Sequence, residues 1–203
     1  MASFDSVDAM PPASSPDLFG ERLSAATARI CDAVTAVSAS NPVVIIDGRS
    51  GAGKSSLAAR VARAWPLHTP VQLLALDSVY PGWGGLERGA EIAREQVLRP
   101  HGRGLIGVWR RWDWEREEEA EAHAVDPALG LIVEGCGALT PASAALADVA
   151  VWVDGPRDSR RRRALERDGD GFRRHWDMWA AQEEAHMTRH EPHKLASITV
   201  ATP

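Results

Sequence analysis

The chain has 203 residues, enough for one domain with a substantial core, and a formal net charge of −5. That charge and a pI of about 5.8 argue against the broad basic surface that binds nucleic acid or anionic membranes. No apolar run approaches the roughly 20 residues that span a bilayer, and residues 1–19 lack the basic start and apolar core of a signal peptide. The two cysteines, Cys31 and Cys136, are too few for a disulfide framework and are expected to be reduced thiols. We therefore expect one enzyme domain in the cytoplasm, without nucleic-acid or membrane partners.

The first predicted elements lead to a glycine-rich segment. Residues 1–16 are rich in Pro, Ser and Ala and are expected to be disordered, and residues 17–39 are expected to form a helix. The apolar, β-branched run Val43–Ile46 predicts a buried strand, and residues 56–63 predict a second helix. The segment between them therefore connects a strand to a helix, which is the context of a phosphate-binding loop.

That segment, residues 48–55, matches the pattern G-x-x-x-x-G-K-[ST] at every fixed position. Glycines let backbone N–H groups surround phosphate oxygens, and the helix N-terminus adds partial positive charge. Lys54 is expected to reach the β- and γ-phosphates, and the Ser55 hydroxyl is expected to bind Mg²⁺. The sequence therefore predicts binding of a nucleoside triphosphate. The residues predicted to contact it are consecutive: Gly48, Arg49, Ser50, Gly51, Ala52, Gly53, Lys54, Ser55 and Ser56.

Apolar segments alternate with helical ones in the rest of the chain. Strands are predicted at residues 71–76, 131–133, 149–153 and 197–200, and helices at residues 86–98, 157–167 and 172–190. Residues 103–128 are rich in Trp and Arg and then become acidic, and the acidic run 115–121 is expected to be the solvated face of a helix. The alternation predicts a parallel sheet with helices on both faces and ligands at the carboxyl ends of the strands.

Two other classes of nucleotide-binding protein are excluded by missing motifs. A guanine-specific switch needs an Asn-Lys-x-Asp motif to bind the base, but Asn41 is the only asparagine in the chain. A transporter-type ATPase would carry a Leu-Ser-Gly-Gly-Gln-like signature, and the chain has none. The remaining class is a small kinase, with an acid after the second strand and an arginine-rich late helix.

Four segments in order resemble the uridine/cytidine kinase group, within the wider family of P-loop kinases of small metabolites. They are the phosphate loop, Asp77-Ser78-Val79-Tyr80, Leu131–Gly135, and Val153–Pro156 with the arginine helix that follows as far as Asp168. The resemblance covers about residues 42–168 and implies a P-loop NTPase-type three-layer α/β fold with an Arg-rich lid helix. It implies a single kinase domain over residues 17–203, with an acceptor-binding insert at about residues 80–128 and a lid at about residues 157–171.

The chain departs from that family at two places. The family follows its Arg-Asp pair with an Arg-Gly-Arg element, whereas Arg167 and Asp168 precede Gly169-Asp170-Gly171. The family's acceptor-binding insert is replaced here by Trp109–Trp114. The resemblance therefore predicts a kinase with ATP and Mg²⁺ but does not identify its acceptor.

Strand ends and the arginine helix supply the catalytic candidates. Asp77 is expected to orient or deprotonate the acceptor hydroxyl, and the resemblance implies that Glu134 binds Mg²⁺, with Ser55, or contacts the acceptor. A capping role is the alternative for both carboxylates. Arg160, Arg163 and Arg167 share one helix face by their spacing, and Arg163 with Arg167 is favoured as the pair that stabilises the transferring phosphoryl group.

The Trp/Arg-rich segment supplies the acceptor candidates. Rings there are suited to stack on a planar group, and charges are suited to fix hydroxyls or an anion, although ordinary packing is the alternative for each tryptophan. Trp114 belongs to the same group of rings, and Trp176 and Trp179 have the spacing of a buried helix face. The residues predicted to bind the acceptor are Tyr80, Trp83, Arg110, Arg111, Trp112 and Asp113.

These observations predict an ATP-dependent kinase that phosphorylates a hydroxyl of a nucleoside-like acceptor. A nucleoside-monophosphate kinase would instead use Arg110 and Arg111 to hold an acceptor phosphate. A kinase of a non-nucleoside metabolite fits the altered insert equally well. A nucleotide-sensing regulator with little turnover is the alternative from a different class, and a homodimer is compatible with all four.

Overall fold

A computed structural model describes residues 17–203, so the predicted disorder of residues 1–16 lies outside the described residues. The helices are α1 (Leu18–Thr35), α2 (Lys54–Arg63), α3 (Leu86–Ile92), α4 (Arg99–His101), α5 (Pro141–Ala144), α6 (Arg157–Arg173), α7 (Trp176–His190) and α8 (Pro192–Leu195). The strands are β1 (Val43–Gly48), β2 (Val71–Ala75), β3 (Gly107–Asp113), β4 (Glu118–Val125), β5 (Gly130–Glu134), β6 (Val149–Asp154) and β7 (Ile198–Ala201). A 3₁₀ turn, Leu76–Ser78, follows β2, and a π-helical segment, Ala93–Leu98, joins α3 to α4.

A five-stranded parallel sheet forms the centre of the fold, in the order β2-β5-β1-β6-β7. Every residue of β1 and β5 is buried, because these strands are covered on both faces and carry apolar side chains on both. Val43 and Ile45 pack into one core cluster, and Val44 and Ile46 pack into the other. The predicted α/β fold, a parallel sheet between two helical layers, is confirmed.

The register of the sheet brings the predicted chemistry to one edge. Ile46 of β1 pairs with Glu134 of β5, and Ala75 of β2 pairs with the same Glu134. The chain after each of these strands therefore leaves the sheet at the same level. The glycine-rich loop, Glu134 and Asp77 consequently meet at the carboxyl ends of adjacent strands, where open α/β sheets bind ligands.

The expectation of a helix over the acidic run 115–121 is wrong. Strands β3 and β4 form an antiparallel hairpin instead, separate from the main sheet. Residues 118–124 place acids and His123 at alternate positions between alanines, which suits a two-stranded ribbon better than a helix face. Arg111 on β3 binds Glu121 on β4 through two hydrogen bonds of 2.7 and 3.1 Å, so cross-strand charge pairing compensates the crowded carboxylates.

The arginine helix is longer than predicted. Helix α6 continues to Arg173, with a kink at Gly169, whose φ of 65° lies in the left-handed region. The following helix starts at Trp176 rather than at residue 172. Within residues 17–203, no helix combines the length and apolar character that a membrane span requires.

Candidate active site

The glycine-rich loop fits tightly between β1 and α6. Gly51 has a φ of 74°, and a Cβ atom there would lie 1.9 Å from the Arg160 carbonyl oxygen. A Cβ atom at Gly48 would likewise lie 2.0 Å from the Val153 carbonyl oxygen. Any side chain at either position would displace backbone, so the loop needs glycine for close packing as well as for its conformation.

The start of α2 offers a row of backbone donors. Helix α2 begins at Lys54 directly after the loop, and its N-cap, Gly53, provides no side-chain acceptor. Within the described part of the chain, the N–H groups of Lys54, Ser55 and Ser56 have no hydrogen-bond acceptor. Open N–H groups at a helix N-terminus, next to glycines with positive φ, form a binding site for anions such as phosphate.

Lys54 is the cation at this anion site. Its side chain is buried, and its ammonium donates to the Arg49 carbonyl oxygen at 3.1 Å and to the Cys136 sulfur at 3.2 Å. Burial alone would lower the pKa of Lys54, but the acidic groups around it, Cys136 first and then Glu134, outweigh burial and raise that pKa above its ordinary value. Lys54 therefore stays charged and points along the loop.

Glu134 and Ser55 provide oxygen atoms beside Lys54. Glu134 ends β5 and is only 4% exposed. Burial raises the pKa of Glu134, while Lys54 and a hydrogen bond with Ser55 act in the opposite direction. A carboxylate and a hydroxyl next to a phosphate site are suitable ligands for Mg²⁺, directly or through water. The two predicted Mg²⁺ residues thus lie together, and the donor set fits that ion.

A cavity of about 470 Å³ opens next to the loop. Five aromatic side chains form much of its wall, and Asp77 and Arg167 are among its polar groups. The complete lining is Ser50, Asp77, Tyr80, Trp83, Trp114, Arg167, Asp168, Gly171, Phe172 and Trp179. We refer to this space as the aromatic cavity. Its wall includes a loop residue and the predicted catalytic carboxylate, so a ligand there would lie beside the phosphate site.

The aromatic wall is a connected stack centred on Trp83. Its ring lies parallel to that of His175, with centroids 4.3 Å apart, and contacts those of Trp114 and Phe172 at 4.9 and 5.6 Å. The Trp114 indole N–H donates to the Asp77 carbonyl oxygen at 2.8 Å, which ties the hairpin to the end of β2. Because the rings support one another, the cavity presents fixed apolar surfaces to a ligand.

Arg167 and Arg163 occupy different places although they share a helix face. The Arg167 guanidinium lines the aromatic cavity and binds Asp168 through two hydrogen bonds of 2.7 Å, which raise its pKa. Arg163 instead donates to the carbonyl oxygens of Gly51, at 2.8 Å, and Pro203, at 2.6 Å. Arg160 is 2% exposed and donates to the Ser50 carbonyl oxygen at 3.1 Å. Arg160 and Arg163 therefore hold the loop by its carbonyl oxygens.

Four of the predicted acceptor residues lie in the hairpin outside the aromatic cavity. Arg111 binds Glu121, Arg110 donates to the Ala120 carbonyl oxygen, and Asp113 accepts the N–H groups of Glu115 and Arg116 in the turn. The Trp112 indole N–H is buried without an acceptor among the described residues. Tyr80 and Trp83, by contrast, line the cavity. The hairpin contributes Trp114 to the cavity in place of those four residues.

Asp47 is a buried carboxylate that the sequence analysis did not identify. It precedes Gly48 at the end of β1, and its oxygens accept the backbone N–H groups of Gly48, Gly137 and Leu139 at 2.6 to 2.9 Å. His186 Nε2 lies 3.0 Å from its second oxygen. The sequence does contain one indication of this role: Asp47 is an acid in an otherwise apolar strand. Burying a carboxylate in such a strand is costly unless several hydrogen-bond donors surround it.

Glu183 on α7 is the second group that the sequence analysis missed. It is 3% exposed, and its carboxylate accepts the Ser50 N–H at 2.7 Å. Trp176, Trp179, Glu183 and His186 are the buried residues of α7 and follow the 3, 4, 3 spacing of one helix face. Two polar residues, Glu183 and His186, on a helix face that also carries two tryptophans could have indicated a buried polar site from the sequence. His186 and His190 also line a larger cavity, of about 740 Å³, between α3, α5 and α7.

Solved structures resemble this chain, although no family model matches it and no curated protein is significantly similar in sequence. A possible uridine kinase from Bacillus stearothermophilus superposes with a TM-score of 0.64 at 18% identity, over 89% of this chain and 98% of that one. The chain therefore shares the α/β fold of that protein. A putative fructose transport system kinase from Silicibacter sp. TM1040 superposes with a TM-score of 0.51 at 18% identity, over 85% of this chain and 98% of that one. The family resemblance predicted from the four motif segments is confirmed for the fold.

Proposed function

We propose that the protein is an ATP-dependent kinase that transfers the γ-phosphoryl group to a hydroxyl of a small acceptor with a planar ring, such as a nucleoside. One observation carries this proposal: a phosphate loop with open N–H groups and a charged Lys54 adjoins an aromatic cavity that contains a carboxylate, Asp77. The loop provides a donor site, the cavity provides an acceptor site, and Ser50 belongs to both. Phosphoryl transfer between two bound molecules requires this arrangement.

Each group near the junction has a role in that reaction. The N–H groups of α2 and the Lys54 ammonium bind the phosphates of the nucleotide and stabilise charge that develops on them. Ser55 and Glu134 would hold the Mg²⁺ that neutralises the same oxygens. Asp77, which is exposed to the cavity, orients the acceptor hydroxyl and takes its proton. Arg167, which lines the cavity from the arginine helix α6, stabilises the charge of the transferring group.

The charges of the aromatic cavity favour an acceptor without a phosphate group. Among the described residues that line it, Arg167 is the only cation, and Asp168 already binds its guanidinium. Arg110 and Arg111, which a monophosphate kinase would use, lie in the hairpin and pair with its own groups. A phosphomonoester would therefore meet two carboxylates, Asp77 and Asp168, with no uncommitted cation. A neutral alcohol avoids that repulsion.

An ATP-consumption screen over nucleosides, nucleoside monophosphates, sugars and vitamin precursors tests the function. We expect turnover with at least one ring-bearing alcohol and markedly less with its monophosphate. Phosphorylation should be verified by mass spectrometry of the acceptor, since water alone also consumes ATP. Tight ATP binding with no transfer to any acceptor would instead favour a nucleotide-sensing regulator.

A further inference from the structure

The buried carboxylate of Glu183 has no role in the reaction described so far. Its Oε1 accepts the Ser50 N–H at 2.7 Å and lies 3.3 Å from the Cys136 sulfur, and its Oε2 lies 3.4 Å from Arg49 Nε. Burying a carboxylate is costly unless donors surround it, and these three groups are such donors. Glu183 therefore fixes a negative charge at the phosphate loop, an unexpected neighbour for anionic ligands.

The position of this charge relates it to the terminal phosphate. Ser50, whose N–H binds Glu183, also lines the aromatic cavity together with Asp77. The open N–H groups of Lys54 to Ser56 lie at the other end of the loop, at the start of α2. A phosphoryl group that leaves those donors for a hydroxyl near Asp77 must pass the Ser50 end of the loop. Glu183 is thus closest to the part of a nucleotide that a triphosphate has and a diphosphate lacks.

Glu183 is also connected to Lys54. The Lys54 ammonium donates to the Cys136 sulfur at 3.2 Å, and the Cys136 thiol donates to Glu183 at 3.3 Å. Burial raises the pKa of Cys136 to about 12, so the group between the two charges is a neutral thiol that both accepts and donates. This row of three side chains holds the lysine relative to the carboxylate. A change of charge at Glu183 should therefore reach the phosphate site by two routes.

We propose that Glu183 is a positioning residue for the terminal phosphate. Its carboxylate occupies the Ser50 N–H, balances Arg49, and keeps the terminal phosphate away from that end of the loop by like-charge repulsion. The repulsion weakens triphosphate binding relative to diphosphate binding and directs the terminal phosphate towards the cavity. This inference rests on the proposed function, because it needs a nucleotide in the loop.

The test compares ATP and ADP affinities in Glu183→Gln and in the wild-type protein. Glutamine keeps the size of the side chain and an oxygen that accepts the Ser50 N–H, but it removes the charge. Dissociation constants are measured with Mg²⁺ and without acceptor by titration calorimetry. We expect the ratio of the ATP constant to the ADP constant to fall about fivefold, since one unit charge near another in a partly screened site has an effect of this order. Turnover should fall as well, because the terminal phosphate is no longer directed towards the cavity.

Glu184→Gln is the matched control. Glu184 is the next residue and lies 3.5 Å from Arg49 Nη1, but its side chain is 63% exposed. Removing the charge of Glu184 should leave the ratio of the ATP to the ADP dissociation constant unchanged. A purely structural role for Glu183 predicts equal changes in both affinities, and either that result or an unchanged ratio overturns the inference.

A second pair of variants keeps the test valid if Glu183→Gln does not fold. Arg49→Gln with Glu183→Gln removes both charges of the Arg49–Glu183 pair, and comparison with Arg49→Gln alone isolates the carboxylate. The same fall of about fivefold in the ratio is expected between these two proteins. A wild-type protein that binds no nucleotide overturns both the proposed function and this inference. A wild-type protein that transfers phosphate, with no change of ratio in the variants, overturns the inference alone.

Discussion

Lys54 is one of two lysines in the chain, and the two differ completely in environment. Lys54 is buried at the phosphate loop, whereas Lys194 is 63% exposed and pairs with Glu191. Lys54→Ala should lower turnover by about 10²–10³, because it removes a preorganised charge from the transition state. Lys194→Ala should leave steady-state kinetics unchanged. Near-normal turnover in a folded Lys54→Ala protein would contradict the kinase mechanism.

Under the proposed function, Glu134 would link Mg²⁺ binding to pH. Burial raises the pKa of Glu134, and only the ionised carboxylate attracts Mg²⁺. Mg²⁺-dependent nucleotide binding should therefore weaken as the pH falls through this raised value, at a higher pH than an ordinary glutamate would give. The stability of the metal-free protein should depend on pH in the opposite direction. The raised pKa of Glu134 stabilises the folded state at low pH, and this stabilisation is lost as the pH rises through the raised pKa.

Glu134→Gln removes both pH dependences if the assignment is right. Mg²⁺ titrations of nucleotide binding over a range of pH, and melting temperatures of the metal-free protein, measure the two effects. A variant that retains the wild-type Mg²⁺ requirement would place the metal on other residues.

At the scale of elements, α6 carries arginines with two functions. Arg163 donates to Gly51 and Pro203, so Arg163→Met should destabilise the protein by about 1–3 kcal/mol through lost charge-assisted hydrogen bonds. Arg167→Met should instead lower turnover with little change in urea unfolding, because Arg167 lines the aromatic cavity. Arg162→Met, at an exposed position of the same helix, is the control for both measurements. A large loss of turnover with unchanged stability in Arg163→Met would instead indicate that Arg163 stabilises the transferring phosphoryl group, as the sequence predicted.

The hairpin contributes one side chain to the aromatic cavity and pairs most of its others internally. Trp114→Ala should raise the acceptor KM by about 5- to 150-fold, since stacking on one aromatic ring is worth about 1–3 kcal/mol, and it should change the ATP KM little. Arg111→Gln removes an exposed pair with Glu121 and should leave both constants unchanged, because Arg111 lies outside the aromatic cavity. The opposite pattern would place the acceptor on the outer side of the hairpin.

At the scale of the whole molecule, the sequence predicted what local patterns determine. Val43–Ile46 and the loop motif predicted a strand, a tight turn and a helix, because strand burial and the start of a helix depend on adjacent residues. The spacing of Arg160, Arg163 and Arg167 predicted one helix face correctly. It did not separate their roles, since Arg163 meets the chain end at Pro203 while Arg167 lies one turn further, at the cavity.

The parts that the sequence did not predict depend on distant contacts. Glu183 reaches the loop from 133 positions along the chain, and no local pattern relates α7 to Ser50. The acidic run was predicted to be helical because its charges resemble a solvated face, but pairing with β3 made it a strand. The sequence grouped Trp114 with Trp112 as candidate pocket rings and did not distinguish them. Trp114 lines the cavity because that hairpin folds against the end of β2.

The four hydrogen-bond donors around Asp47 come from segments that are far apart in the chain. Because they share one carboxylate, we expect these segments to open together in amide hydrogen exchange. The amides of Gly48, Gly137 and Leu139 all end on this one carboxylate, with His186 on the other side. None of them can open to solvent without exposing the buried charge, so we expect their amide protons to exchange together, by global unfolding. Asp47→Ala should speed exchange at Gly137 and Leu139, as measured by mass spectrometry or NMR, beyond the change at amides of the adjacent strand β6. Separate exchange rates for the three amides in the wild-type protein would show that these segments open independently, and that the site tolerates motion at one of them while the others stay closed.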